Sequence, residues 1–126
     1  MNKRFVSIVR IIFGLLLIFG GAMAFTNSAI PEGYLKKSIA FLQAMNDTGY
    51  FTYFLGLVQL AVGLMFVTRR YVALGAIILA PITVNIIVFH IFLDMKTIIP
   101  GLILLVLNLF VAYTEKEKYK DILKSR

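Results

Sequence analysis

A chain of 126 residues that is 60% hydrophobic and only 15% charged carries more apolar surface than a soluble unit of that length can hide, and the length itself points to one compact unit. Cysteine is absent, which removes disulfides, thiol nucleophiles and thiolate metal centres. The formal charge of +7 would suit nucleic acid, but the lysines and arginines fall in short runs beside apolar stretches, a pattern of membrane topology and attraction to anionic lipid.

Lys3, Arg4 and Arg10 introduce an apolar run, and the first membrane span is predicted at 6–28, with Arg10 snorkelling to the headgroups. The same stretch has the features of a signal peptide, with Ala22, Met23 and Ala24 matching a cleavage site. Its apolar part exceeds the usual length and further spans follow, so it reads as a retained first helix. Pro31 and Gly33 then mark a turn. Within the one long connection, 28–48, Leu35, Ile39, Leu42 and Met45 recur at helical spacing. That makes a short amphipathic helix, too short and too polar to span. It is either an interfacial connector or a lid over a cavity.

The second span is predicted at 50–68. Gly56 and Gly63 lie two turns apart, as Gly14 and Gly21 do in the first span, a spacing that lets helix backbones approach closely in lipid. The third span, 71–93, runs YVALGAIILAPITVNIIVFHIFL, without a formal charge, and at ~1.5 Å per residue reaches about 34 Å, enough to cross the hydrocarbon layer. Pro81 lacks a backbone donor and frees the carbonyl near Ile77, and a kink is expected there. A tight turn at 94–97 leads to the fourth span, 98–113, and the charged remainder, 114–126, reads as a solvated helix end. The fold class is therefore all-α: a four-transmembrane-helix antiparallel bundle with a short interfacial helix between the first and second spans, in one membrane domain. The basic residues divide unequally. Lys3, Arg4, Arg10, Arg69, Arg70, Lys116, Lys118, Lys120, Lys124 and Arg126 fall on one side, and Lys36, Lys37 and Lys96 on the other, so both termini are expected in the cytoplasm.

Five polar residues of the spans and their edges stand out as candidate binding residues: Gln59, Asn85, His90, Asp94 and Asn108. Uncharged polar groups within spans most often glue helices together. His90 and Asp94 are four apart on one helix face, where the carboxylate can hold the imidazole in one tautomer. Asn85 lies ~140° round the helix from His90, so the two are expected to face different neighbours and to join a network shared between helices. A single histidine makes no multi-histidine metal site in a monomer, and no metal site or catalytic residue is assigned. With no charge at depth, ion-coupled transport has little support.

The stretches RIIFGLLLIFGG, FLQAMNDTGYF, GLVQLAVGLMF, LAPITVNIIVFHIFLD and IPGLILLVLNLFVAY, taken in this order over nearly the whole length, resemble the DoxX-like family of small membrane proteins of Gram-negative bacteria. The resemblance implies four transmembrane helices in the inner membrane. Asn85, His90, Asp94 and Asn108 match the family pattern, whereas members usually carry a glutamate where this chain has Gln59, leaving an amide in place of an ionisable group. One branch resembles the membrane subunit of thiosulfate:quinone oxidoreductase, and others resemble accessory subunits of redox complexes. Two functions follow as expectations. The first is a non-catalytic bundle that binds a partner subunit, a second copy of itself or a small hydrophobic molecule. The second is a quinone-linked oxidoreductase subunit in which His90 meets a quinone carbonyl.

Overall fold

The computed structural model describes residues 2–26 and 33–125, and every regular element among them is helical. The turn expected at Pro31, the last residues of the first predicted span and Arg126 lie outside the described residues. Six α-helices follow in order: α1 (Lys3–Met23), α2 (Lys36–Asp47), α3 (Phe51–Thr68), α4 (Val72–Leu93), α5 (Ile98–Thr114) and α6 (Lys120–Leu123). Four of these segments are long and apolar enough to cross a membrane: α1, α3, α4 and Met95–Thr114, in which a 3-10 turn (Met95–Thr97) leads into α5. Asn2 starts α1 by accepting the N–H groups of Arg4 and Phe5, which would otherwise be orphaned at a helix N-terminus. The first helix closes at Met23, several residues short of the predicted end of its span.

Small residues decide how α1 and α3 meet. A methyl group placed on Gly14 would lie 2.9 Å from the Gly63 carbonyl oxygen, and one on Gly63 would lie 2.8 Å from the Gly14 carbonyl oxygen. Gly21 and Gly56 form a second contact of the same kind, at 2.6 Å and 2.9 Å from each other's carbonyl oxygens. The glycines paired by spacing within each span are thus paired in space between spans, and backbone touches backbone at both points. Phe13 and Phe66 stack beside the first contact with ring centroids 5.5 Å apart. With Leu17, Val62, Val72, Ala76, Leu79 and Val111 they form the buried apolar centre.

The molecule is inverted relative to a soluble domain. Its buried positions include Arg10, Ser38, Thr83, His90, Asp94 and Asn108. Its exposed positions include Phe19, Leu57, Phe92 and Val106, all more than 60% accessible. In water, such a continuous apolar exterior would be strongly unfavourable.

Two expectations are corrected here. Arg10 does not reach outward: it is 9% exposed, and its Nε donates to the Phe66 carbonyl oxygen at 2.8 Å, near the end of α3. The residues after Thr114 are not a simple solvated continuation. A 3-10 turn (Lys116–Tyr119) and α6 fold back, and the Tyr119 hydroxyl donates to the Ala73 carbonyl oxygen at 2.7 Å, in the first turn of α4. That carbonyl has an open lone pair, and a phenol is long enough to reach it. At Pro81 helix α4 continues without a break, and the nearby Thr83 hydroxyl lies 3.0 Å from the Ala80 carbonyl oxygen.

Because the α1–α3 contacts are backbone to backbone, neither side can yield. Gly63→Ala and Gly21→Ala should each destabilise the protein by about 1–3 kcal/mol. Gly20→Ala, whose methyl would meet only the flexible end of Gln59 at 3.1 Å, should cost much less. Thermal unfolding of the three variants in one detergent checks the order.

Candidate functional site

Helix α2 lies across the ends of α3 and α4 and closes one side of a cavity of about 680 Å³. Its roof is Phe41, Leu42 and Met45, the last two on the apolar face legible in the 35–45 periodicity. Its walls come from α3 (Phe51, Leu55, Gln59), α4 (Pro81, Ile82, Asn85, Ile86, Phe89, His90) and α5 (Pro100, Gly101, Leu104). Phe41 packs on Phe89 with centroids 5.3 Å apart, so roof and wall are in direct contact. Gly101 matters for the width: a methyl there would press on Ile86 at 3.0 Å and approach His90 Nδ1 at 3.5 Å.

Three of the five sequence-predicted residues border this cavity. Gln59 is half-buried on the α3 wall, Asn85 is exposed at the α4 wall, and His90 is buried at 7% accessibility. Neither amide has a hydrogen-bond partner among the described residues. The His90 ring is fixed by its own helix: Nδ1 lies 2.8 Å from the Ile86 carbonyl oxygen. A carbonyl can only accept, so Nδ1 carries a proton, and in the neutral form of the ring Nε2 is then the acceptor. Nε2 has no protein partner and is not fully covered, since the one fully covered, unpartnered side-chain polar atom among the described residues is Asp94 Oδ1. Asn85 and His90, expected to face different neighbours, share one cavity because its wall wraps around α4 from Pro81 to His90.

The other two residues act elsewhere. Asn108 is 2% exposed and locked between α5 and α4: Oδ1 accepts from Thr83 Oγ1 at 2.8 Å, and Nδ2 donates to the Ala76 carbonyl oxygen at 3.2 Å. Both ends of the amide are satisfied, which makes it helix glue. Asp94 makes no hydrogen bond to His90. Its Oδ2 accepts the Leu35 N–H at 2.8 Å and lies 3.0 Å from Ser38 Oγ, whose single proton is shared with the Leu35 carbonyl oxygen at 2.7 Å. Leu35 caps α2 without a side-chain hydrogen bond of its own, so a carboxylate 59 positions along the chain holds the start of that helix. The Leu35 N–H, followed by the Ser38 hydroxyl, holds the Asp94 carboxyl below the ordinary aspartate range, and these donors outweigh the opposing effect of burial.

Tyr34, Phe41 and Ser38 were not picked out by sequence reading. The periodicity marked the α2 face that carries the roof, but nothing local tied Ser38 to a residue 56 positions away.

Fold and cavity together define a small all-helical protein with four membrane-length helices and one roofed, largely apolar cavity beneath a short cross-helix. No family model, curated protein or solved structure matches the chain.

Since the folded carboxyl titrates below an unfolded aspartate, its grip on α2 is complete above about pH 4 and is lost as pH falls through the folded value. The chain has no tryptophan, so Phe41→Trp supplies a lone fluorescent reporter on α2. Its emission should be constant from neutral pH down to about 4 and change only below that. Asp94→Asn in the same background should remove the transition.

Proposed function

We propose that this is a multi-pass membrane protein whose bundle takes up a small hydrophobic molecule with a polar head, in a binding and not a catalytic role. The observation that carries this reading is the cavity beneath α2: about 680 Å³ of mostly apolar wall in which unpartnered Gln59, Asn85 and His90 Nε2 supply the polar points. That combination orients an amphiphile, with apolar area for affinity and a few polar groups for direction. Of the two roles expected for the cross-helix, the roof contact between Phe41 and Phe89 favours the lid.

An antiparallel four-span bundle in a bacterial inner membrane, both termini cytoplasmic, fits the same observations. Lys3, Arg10, Arg69 and Lys116 border one pocket at one end, while Lys36, Lys37 and Lys96 flank the Asp94 junction at the other. The apolar exterior then faces acyl chains, and α2 lies at the outer interface. The resemblance to DoxX-like proteins agrees with this topology.

A second reading, a quinone-linked redox subunit, gains one specific support from the imidazole. With Nδ1–H directed to the Ile86 carbonyl, Nε2 is the nitrogen left for a ligand and in the neutral ring it accepts, which suits the hydroxyl of a quinol, while the Asn85 and Gln59 amides can donate to a ring carbonyl. A redox partner subunit, or a soluble thiosulfate at the lysine-rich outer mouth, belongs to this reading and stands or falls with it.

Mass spectrometry of the detergent extract should find a co-purified hydrophobic molecule. In titrations with quinone and quinol analogues, His90→Ala and Asn85→Ala should each weaken binding about tenfold, one hydrogen bond's worth. Equal affinity for an analogue without ring oxygens removes the redox reading and leaves the general one. Absence of any bound or binding amphiphile overturns both.

A further inference from the structure

A second cavity, of about 450 Å³, lies at the opposite end of the bundle, where α1 begins and α3 and α5 end. It is polar where the first is apolar, and the proposed ligand has no use for it. We propose that it is a binding site for a phosphate-ester anion, the headgroup of an acidic phospholipid in the adjacent leaflet.

The centre of the site is Arg10. Its Nε is used by the Phe66 carbonyl, which fixes the guanidinium plane. Its two terminal nitrogens have no partner among the described residues, although the side chain is nine-tenths buried. They are not fully covered, and the residue lines the cavity, so the free fork opens into it. A guanidinium held at one nitrogen and open at the other two is the geometry that grips two oxygens of one phosphate. Lys3, Arg69 and Lys116 line the same cavity, and Glu115 is its one carboxylate. That carboxylate is already paired with Lys118 at 2.9 Å and makes no ion pair with Arg10. Four basic residues and one carboxylate therefore border one space, an excess of positive charge that an entering anion would relieve.

The lipid source follows from the surroundings. Lys116 stands over the Tyr113 ring, with Nζ 4.4 Å from the centroid, and that ring is an interfacial aromatic beside the cavity. On the same helices as the lining residues, Phe5 on α1, between Lys3 and Val6 in sequence, and Leu109 on α5, four residues before Tyr113, are exposed and apolar, at 54% and 60% accessibility. A headgroup seated on Arg10 would lay its acyl chains over those side chains. Basic pockets between membrane helices recognise anionic headgroups in this way. A choline headgroup would add a fifth cation and is disfavoured. The lipid source rests on the membrane reading given above; the anion site does not, and the arms below separate them.

The test uses the whole protein in a neutral detergent, with native mass spectrometry reading adducts of phosphatidylglycerol and phosphatidylcholine, and competition by inorganic phosphate. Arg10→Gln is the direct variant. Because Arg10 is buried, the double variant Arg69→Asn with Lys116→Gln is run beside it: both side chains are at the surface, and asparagine tolerates the left-handed backbone of position 69 (φ 60°). Phosphatidylglycerol should bind about tenfold tighter than phosphatidylcholine, and the double variant should remove that advantage while leaving phosphatidylcholine binding and lipid-free thermal stability unchanged. Equal binding of the two lipids, with no effect of phosphate, overturns the site. So does phosphatidylglycerol binding that the double variant leaves intact. Displacement of the lipid by millimolar inorganic phosphate upholds the anion site but overturns its lipid source.

Discussion

The carboxylate of Asp94 joins two parts of the chain that would otherwise meet only through soft apolar contacts. Helix α2 is twelve residues long, an isolated length that is marginal in water, and its first turn has no capping side chain of its own. One oxygen of Asp94 takes the Leu35 N–H and shares the Ser38 proton, so the start of the helix is fixed to the turn between α4 and α5. The other oxygen is buried without a partner, which concentrates the hold on a single atom. Without this junction Phe41, Leu42 and Met45 have no fixed position over α4, and the cavity has no roof. The negative charge also suits the partial positive end of α2.

The rest of the interior obeys the same rule in a simpler form. Apart from the helix ends and the donor missing at Pro81, the backbone of the long helices is bonded within each helix, and most buried polar side chains find a partner. Asn108 with Thr83 binds α5 to α4, Arg10 binds α1 to the end of α3, and Tyr119 returns the C-terminal segment to α4. The exceptions are informative. Gln59, Asn85 and His90 Nε2 have no partner, and all three border one cavity. The free fork of Arg10 borders another. Asp94 Oδ1 apart, an unsatisfied polar side chain among the described residues marks an opening, because burying such a group without a partner is costly.

The division of polar residues into glue and cavity-facing groups could not be read from residue type. Asn85 and Asn108 are the same amide on neighbouring helices. One points along a cavity wall, and the other is closed in by Thr83 and the Ala76 carbonyl. The i, i+4 spacing of His90 and Asp94 suggested a pair, yet each residue has a nearer partner: the imidazole its own helix's carbonyl, the carboxylate an N–H from another segment. Local spacing shows which groups share a face. It does not show which competing partner that face will meet.

The sequence alone determined what depends on composition and period: all-helical structure, four segments of membrane length, a short helix between the first two of them and the glycine spacing. Those features follow from local backbone sterics and from the length a bilayer imposes. The tertiary structure decided everything set by distant pairings. Asp94 reaches Leu35 across 59 positions and Arg10 reaches Phe66 across 56, and each fixes a cavity wall or opening. Such contacts carry no periodic signal, since they depend on how the helices pack once formed.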